Sequence, residues 1–222
     1  MRGNTDCGMA LITKISGRKR RAKRRNIYID GRFVFGCHEN VVARFRLREG
    51  MQIGPEQIGQ IKEREIFQEC FDKATAFLSR RLHSSAELKR KLLAARFSED
   101  VVSSVIQELS RLGYVDDDRF AKTKALAAAQ HRQHGRRRAL LELLKAGVSP
   151  AVAERAVAEV YDEADDTEVA RRLARKHAAR LRDIDSMAAR RRLAGMLQRR
   201  GFEYESIKPV IDEVLGSEGS AE

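Results

Sequence analysis

The sequence has no tryptophan, three prolines, three cysteines and only 6% aromatic residues in a chain of 222. Cys7, Cys37 and Cys70 lie 30 and 33 positions apart, which excludes a disulfide framework and a C-x-x-C metal or redox pair. They are expected to be reduced thiols. Apolar runs such as Ala125 to Ala129 fall far short of the roughly 20 residues that a membrane span needs, and no secretory signal is recognisable. A cytoplasmic protein with no membrane association is expected.

Catalytic signatures are missing too. There is no P-loop, dinucleotide fingerprint, G-x-S-x-G elbow, H-E-x-x-H helix or paired-cysteine zinc pattern. His38, His83, His131, His134 and His177 stand without a recognisable nucleophile and carboxylate. Cys37-His38-Glu39 has no further Cys or His at ligand spacing, and Asp116-Asp117-Asp118 lacks the Gly and Glu of a calcium loop. The chain reads as no enzyme, with no cofactor and no metal.

What is abundant is positive charge. Lys and Arg number 44 against 32 Asp and Glu, a net +12, which points to an anionic partner such as nucleic acid or an acidic protein surface. Residues 1–60 carry 13 basic and 5 acidic side chains. Arg18, Lys19, Arg20, Arg21, Lys23, Arg24 and Arg25 put seven cations into eight positions. Such a run repels itself and predicts a mobile or edge segment, serving either as a phosphate contact or as a solvated hairpin loop. Further clusters are Arg136, Arg137 and Arg138; Arg171, Arg172, Arg175 and Lys176; Arg190, Arg191 and Arg192; and Arg199 and Arg200.

The 42% hydrophobic content can bury cores in one medium domain or a few small modules. Residues 1–9 read as disordered, and residues 10–54 as a small basic module. In that module Ala10 to Ile15 permits a strand, and Ile27-Tyr28-Ile29, Asp30-Gly31 and Phe33-Val34-Phe35 form a hairpin on a type I′ turn. Val41 to Leu47 fits a third strand or a short helix. Gly54-Pro55 then opens a helix.

Beyond it the sequence repeats. At an offset of 51, Leu88, Leu92, Leu93, Phe97, Val101, Val105, Ile106 and Leu109 fall on Ala139, Leu143, Leu144, Val148, Val152, Ala156, Val157 and Val160. At a further 54, Ala139, Leu143, Val148, Ala153, Ala156, Val157 and Val160 fall on Leu193, Leu197, Phe202, Ile207, Val210, Ile211 and Val214. A period above about 50 residues suits three short helices per copy. The first helices are placed at Ile66 to Leu82, Asp118 to His131 and Thr167 to Leu181. Ser84-Ser85-Ala86-Glu87 reads as a capping box, Ser149-Pro150 as a cap with a first-turn proline, and Gly113 and Gly147 as helix stops. Asp116-Asp117-Asp118 supplies carboxylates to the next helix start. The fold class is therefore mostly α: a tandem array of three three-helix repeats (55–117, 118–166, 167–216) behind a small β-hairpin-containing module, with 217–222 a disordered tail.

The run Leu82-His83-Ser84-Ser85-Ala86-Glu87-Leu88-Lys89-Arg90-Lys91-Leu92, followed by Leu109 to Ala121 with Gly113-Tyr114-Val115-Asp116-Asp117, resembles the RecX family of bacterial regulators of the RecA recombinase. The resemblance spans about Ile66 to Leu215, and a strand-bearing N-terminal extension occurs in some members. It implies a non-enzymatic modulator that lodges in the helical groove of the RecA filament on single-stranded DNA. There it would restrain ATP hydrolysis and strand exchange in recombination and repair, with single-stranded and double-stranded DNA as further partners. Separately, a monomer is expected.

His83, Ser84, Glu87, Leu88, Leu92, Gly113, Tyr114, Asp116, Asp117 and Phe120 match the family motif and read mainly as architectural. Phe120 is expected in the core, and Asp117 at a helix start. The contact surface is placed on Arg136, Arg137 and Arg138 with Arg190, Arg191 and Arg192 as their counterpart, supported by the run Arg18 to Arg25. Two competing readings are a helix-turn-helix-like DNA-binding protein and a divalent-ion nuclease using Asp116 to Asp118. The second helices lack the Asn, Gln and Arg mixture expected for base reading.

Overall fold

The computed structural model describes residues 8–18, 21–161, 163–181 and 183–216. The expected disordered ends lie outside this range apart from Gly8 and Met9, as do Lys19 and Arg20 of the basic run. The chain divides into two compact units, one running to Arg80 and including Lys91–Glu108, the other comprising Arg81–Arg90 and the chain from Leu109 onward.

The first unit opens with four antiparallel strands in the order β3-β2-β1-β4. These are β1 (Ala10–Arg18), β2 (Arg21–Ile29), β3 (Arg32–His38) and β4 (Gln52–Ile53), with helix α1 (Glu39–Arg44) between the last two. The turn between β2 and β3 has φ of 48° at Asp30 and 78° at Gly31, as a two-residue type I′ turn requires. Residues 41–47 begin as helix rather than strand, because the His38 imidazole accepts from the Asn40 amide (3.2 Å) and caps α1. Ile12, Ile27, Cys37, Val41 and Ile53 are buried, with Ile61 from helix α2 (Pro55–Leu78) in the same cluster. The two-residue β4 has no counterpart in the sequence reading.

The basic run corrects an expectation. Arg21, Lys23, Arg24 and Arg25 enter neither an edge nor a free segment, because they lie in β2, an inner strand, with Arg25 opposite Gly17 on one side and Cys37 on the other. The repulsion is relieved locally: Arg24 pairs with Glu65 (2.7 Å) and Glu69 (2.9 Å) of α2, and Arg25 with Glu39 (3.5 Å).

The second and third helices of the first copy are α3 (Ser85–Ala94) and α4 (Glu99–Arg111), and the boundary between the units falls within α3. The second unit holds the remaining copies: α5 (Asp117–Gln130), α6 (Arg136–Lys145) and α7 (Pro150–Val160), then α8 (Glu163–Ala178), α9 (Ser186–Arg199) and α10 (Tyr204–Gly216). Among the repeated positions Leu92, Leu143 and Leu197 are fully buried, as are Val102, Ala153 and Ile207. Each large side chain in that set contributes about 1.5–3 kcal/mol from apolar burial. Leu93 and Leu144, though superimposed by the repeat, stand 38% and 37% exposed, because they fall one residue round the helix from the buried leucines.

The helix boundaries depart from expectation in detail. Ser84 accepts from the Glu87 amide (3.0 Å), but the Glu87 carboxylate turns to Arg81 (2.9 Å) instead of closing the capping box. Ser149 occupies the cap position of α7 without a side-chain cap bond. The residue ending each second helix is left-handed in all three copies: Arg96 (φ 68°), Gly147 (φ 80°) and Gly201 (φ 90°).

Candidate functional site

Helix α6 starts at Gly135, which offers no side-chain cap, so its first amides need partners from elsewhere. The third copy supplies them. The Gly135 amide donates to the Arg200 carbonyl (2.9 Å) and the Arg137 amide to the Gly201 carbonyl (3.2 Å). The Arg136 amide meets the carboxylate of Asp166, a residue only 8% exposed. Burial pushes that carboxyl up to about 6, against the pull of the Arg136 amide and guanidinium, with Glu203 adding to the rise.

The same arrangement recurs one copy earlier. At the start of α3, Ser84 Oγ donates to the Ala146 carbonyl (2.6 Å), while Asp117 accepts from the Ser85 amide (2.8 Å) and hydroxyl (2.6 Å). Close approach demands glycine here. A Cβ on Gly147 would lie 2.3 Å from Ala86 Cβ, and one on Gly201 would lie 2.4 Å from the Arg138 backbone nitrogen.

The junction places Arg136, Arg137 and Arg138 in the first turn of α6, all exposed and with no acidic residue among them. Cations at this end oppose the helix dipole, at a cost of about 0.3–1 kcal/mol each. Arg138 is partly held, donating to the Arg199 carbonyl (2.8 Å) with Glu142 at 3.6 Å. Arg137 has no ionic partner among the described residues. The first turn of α6 thus carries exposed positive charge that its own helix end does not stabilise.

The counterpart in the third copy differs. Helix α9 starts one turn earlier and is capped by its own Asp185, which accepts from the Ala188 amide (3.0 Å). Arg190, Arg191 and Arg192 therefore sit in the second turn, not at the start. Arg190 pairs with Asp212, Arg191 reaches back to the Met187 carbonyl (3.4 Å), and Arg192 is exposed. The three form no cluster equivalent to that on α6.

In the N-terminal run, Arg24 is 19% exposed in its side chain and fixed between Glu65 and Glu69. Glu65 also accepts from the His38 amide (2.6 Å), and burial raises its carboxyl despite that bond and the Arg24 charge. Arg24 is thus structural. Lys23 is exposed, and of Arg18 and Arg21 only the strand backbone is described.

Among the motif residues, His83, Ser84, Leu88, Leu92 and Phe120 are buried, the last at 4% exposure. Asp116 caps α5 by accepting from the Arg119 amide (3.0 Å). Asp117 serves the start of α3 rather than that of its own helix. Gly113 takes φ 73° after α4. Tyr114 departs from an architectural reading: its ring is 59% exposed. The sequence reading missed Asp166, Glu142 and Arg132. Asp166 was within reach, since it follows Asp117 by 49 residues and lies in the first turn of the equivalent helix. Among the described residues no group of three His, Cys, Asp or Glu could hold a metal ion, and no helix is long and apolar enough to cross a membrane.

Three family models match the chain: the regulatory protein RecX N-terminal domain over residues 10–54, the first RecX three-helix domain over 70–109 and the third over 163–211. The regulatory protein RecX of Leuconostoc mesenteroides is 30% identical over 93% of this chain and 77% of its own length. The chain belongs to the RecX family. RecX of Clostridioides difficile is likewise 30% identical, over 93% of this chain and 97% of its own. A crystal structure of regulatory protein RecX, 23% identical, shares the fold with a TM-score of 0.77 over 91% of this chain and 99% of that one. RecX from Lactobacillus salivarius, 25% identical, gives 0.62 over 67% and 96%. The two matched three-helix domains fall on helical parts of the chain, and RecX membership makes the chain a regulatory protein rather than an enzyme.

Proposed function

We propose that this RecX protein acts as a monomer on the RecA filament assembled on single-stranded DNA, lies in its helical groove and suppresses ATP hydrolysis and strand exchange. The observation that carries the reading is the exposed Arg136-Arg137-Arg138 turn, held against its own helix dipole by bonds from the next copy. Such a rigidly mounted cationic turn suits an acidic protein surface beside DNA backbone, and several modest contacts along the copies add to avidity.

The test is RecA's DNA-dependent ATPase. Substoichiometric protein should suppress it, and an unchanged rate at saturating protein overturns the proposal. Direct, sequence-specific DNA binding is the competing reading. Equal affinity for random and selected duplexes with a steep salt dependence argues against it.

A further inference from the structure

Around the junction of the second and third copies, a cavity of about 670 Å³ is lined by four arginines, two from each copy. Arg132 and Arg138 come from the second copy, Arg199 and Arg200 from the third. Side chain and backbone are tied crosswise: the Arg138 guanidinium donates to the Arg199 carbonyl (2.8 Å), and the Arg200 guanidinium to the Arg132 carbonyl (2.8 Å). Each copy thus lends a guanidinium to the other's helix end, and both guanidiniums keep unused N–H donors.

The cavity's counter-charge is too small for its cations. Glu142 alone serves Arg132 (2.6 Å) and Arg138 (3.6 Å), with His134 Nδ1 3.1 Å away; burial lowers the pKa of that imidazole, so it adds little charge. Four guanidiniums against one carboxylate leave about three positive charges facing an open, solvent-exposed concavity. Arg199 has no ionic partner among the described residues, and its guanidinium lies against Gly195, where a Cβ would be 3.2 Å away. A second cavity of about 520 Å³ shares Arg138 and Arg199 and adds Arg137 and Lys145. The cations therefore continue as a track longer than one phosphate.

We propose that the junction is an oligophosphate-binding cleft, in which Arg132, Arg138, Arg199 and Arg200 clasp two or more neighbouring phosphate groups and, by drawing on both copies, fasten the copies to each other. Planar guanidiniums match phosphate oxygens in bidentate geometry. A ligand held by both copies binds only the assembled junction, so it stabilises the fold by mass action. The phosphates belong either to a nucleic-acid backbone or to a free chain such as tripolyphosphate. The site is a property of this chain alone, so its test involves no RecA and fails or succeeds separately from the filament reading.

The experiment titrates the full-length protein with tripolyphosphate, orthophosphate and a fluorescent oligothymidylate, reading calorimetric binding, anisotropy and melting temperature. Tripolyphosphate should bind at least about tenfold more tightly than orthophosphate and raise the melting temperature. Arg199→Ala should weaken it about tenfold without changing the unliganded melting temperature, and Glu142→Gln, which removes the competing carboxylate, should tighten it. Arg155→Ala, on α7, is the control. If tripolyphosphate displaces the oligothymidylate and both lose affinity in Arg199→Ala, the source is nucleic-acid backbone; if only tripolyphosphate is affected, it is a free oligophosphate. Equal losses in Arg155→Ala and Arg199→Ala, or no melting shift with tripolyphosphate at low salt, overturn the proposal.

Discussion

Asp117, the first residue of α5, accepts from the Ser85 amide at 2.8 Å and the Ser85 hydroxyl at 2.6 Å, capping a helix that began 32 residues earlier. Asp166 does the same for the Arg136 amide. The second helix of each of the first two copies therefore has its start completed by the copy that follows, and helix capping, usually a local matter, here joins one copy to the next.

Removing the cap should be costly. Asp117→Ala leaves the Ser85 amide without its acceptor and should destabilise the fold by about 2 kcal/mol. Asp117→Asn, which retains an accepting oxygen, should lose less. Urea denaturation checks both, and a loss in Asp117→Ala below about 0.3 kcal/mol would show that water replaces the carboxylate fully.

Two glycines with similar backbone should respond differently. Gly113 and Gly201 have φ of 73° and 90°, but a Cβ on Gly113 meets nothing within 4 Å whereas one on Gly201 strikes Arg138. Gly113→Ala should cost about 1 kcal/mol from backbone strain alone. Gly201→Ala adds a steric clash and should cost at least about twice as much. Equal losses would mean that the third copy can draw back from α6 without penalty.

Asp166 gives a pH signature of defined sign. Its carboxyl is raised from about 3.8 to about 6 in the fold, so the folded protein holds this proton more tightly than the unfolded chain. The associated stability is fully present below about pH 4 and is lost as pH rises through about 6. Asp166→Asn keeps an acceptor for the Arg136 amide without the buried charge. It should exceed the parent by up to about 3 kcal/mol at pH 7, the two converging near pH 4. Melting curves across this range provide the check, and a variant less stable than the parent at pH 7 would contradict it.

Stability and function should part company at Arg137. Glutamate there suits the positive end of α6 and should raise stability by a few tenths of a kcal/mol. The same Arg137→Glu change should weaken suppression of the RecA ATPase. Full suppression in a well-folded variant would move the contact surface off α6.

The fold was legible where a pattern is local or repeated. Asp30-Gly31 specifies its turn through φ alone, and Leu92, Leu143 and Leu197 announce themselves by superposition at offsets of 51 and 54. What escaped depends on partners distant in the chain. Arg21, Lys23, Arg24 and Arg25, part of that cationic run, argue against an inner strand until Glu65 and Glu69, some 40 residues on, are seen beside Arg24. Leu93 and Leu144 look like core by identity, but one residue step, about 100° of helix, separates them from the buried face. Of the candidate site, the arginines on α6 were visible as charge. Their mounting was not, because Gly135 carries no capping group and its partners are carbonyls of another copy.

Arg96 shares the left-handed backbone of Gly147 and Gly201 but bears a long side chain in the open. The copies are therefore not interchangeable. Moved one place down the chain, the first would drive that side chain into the helix start ahead of it, so the leading place of this module is written into a single position, and a protein with it moved would fail at that seam while every module kept a sound interior.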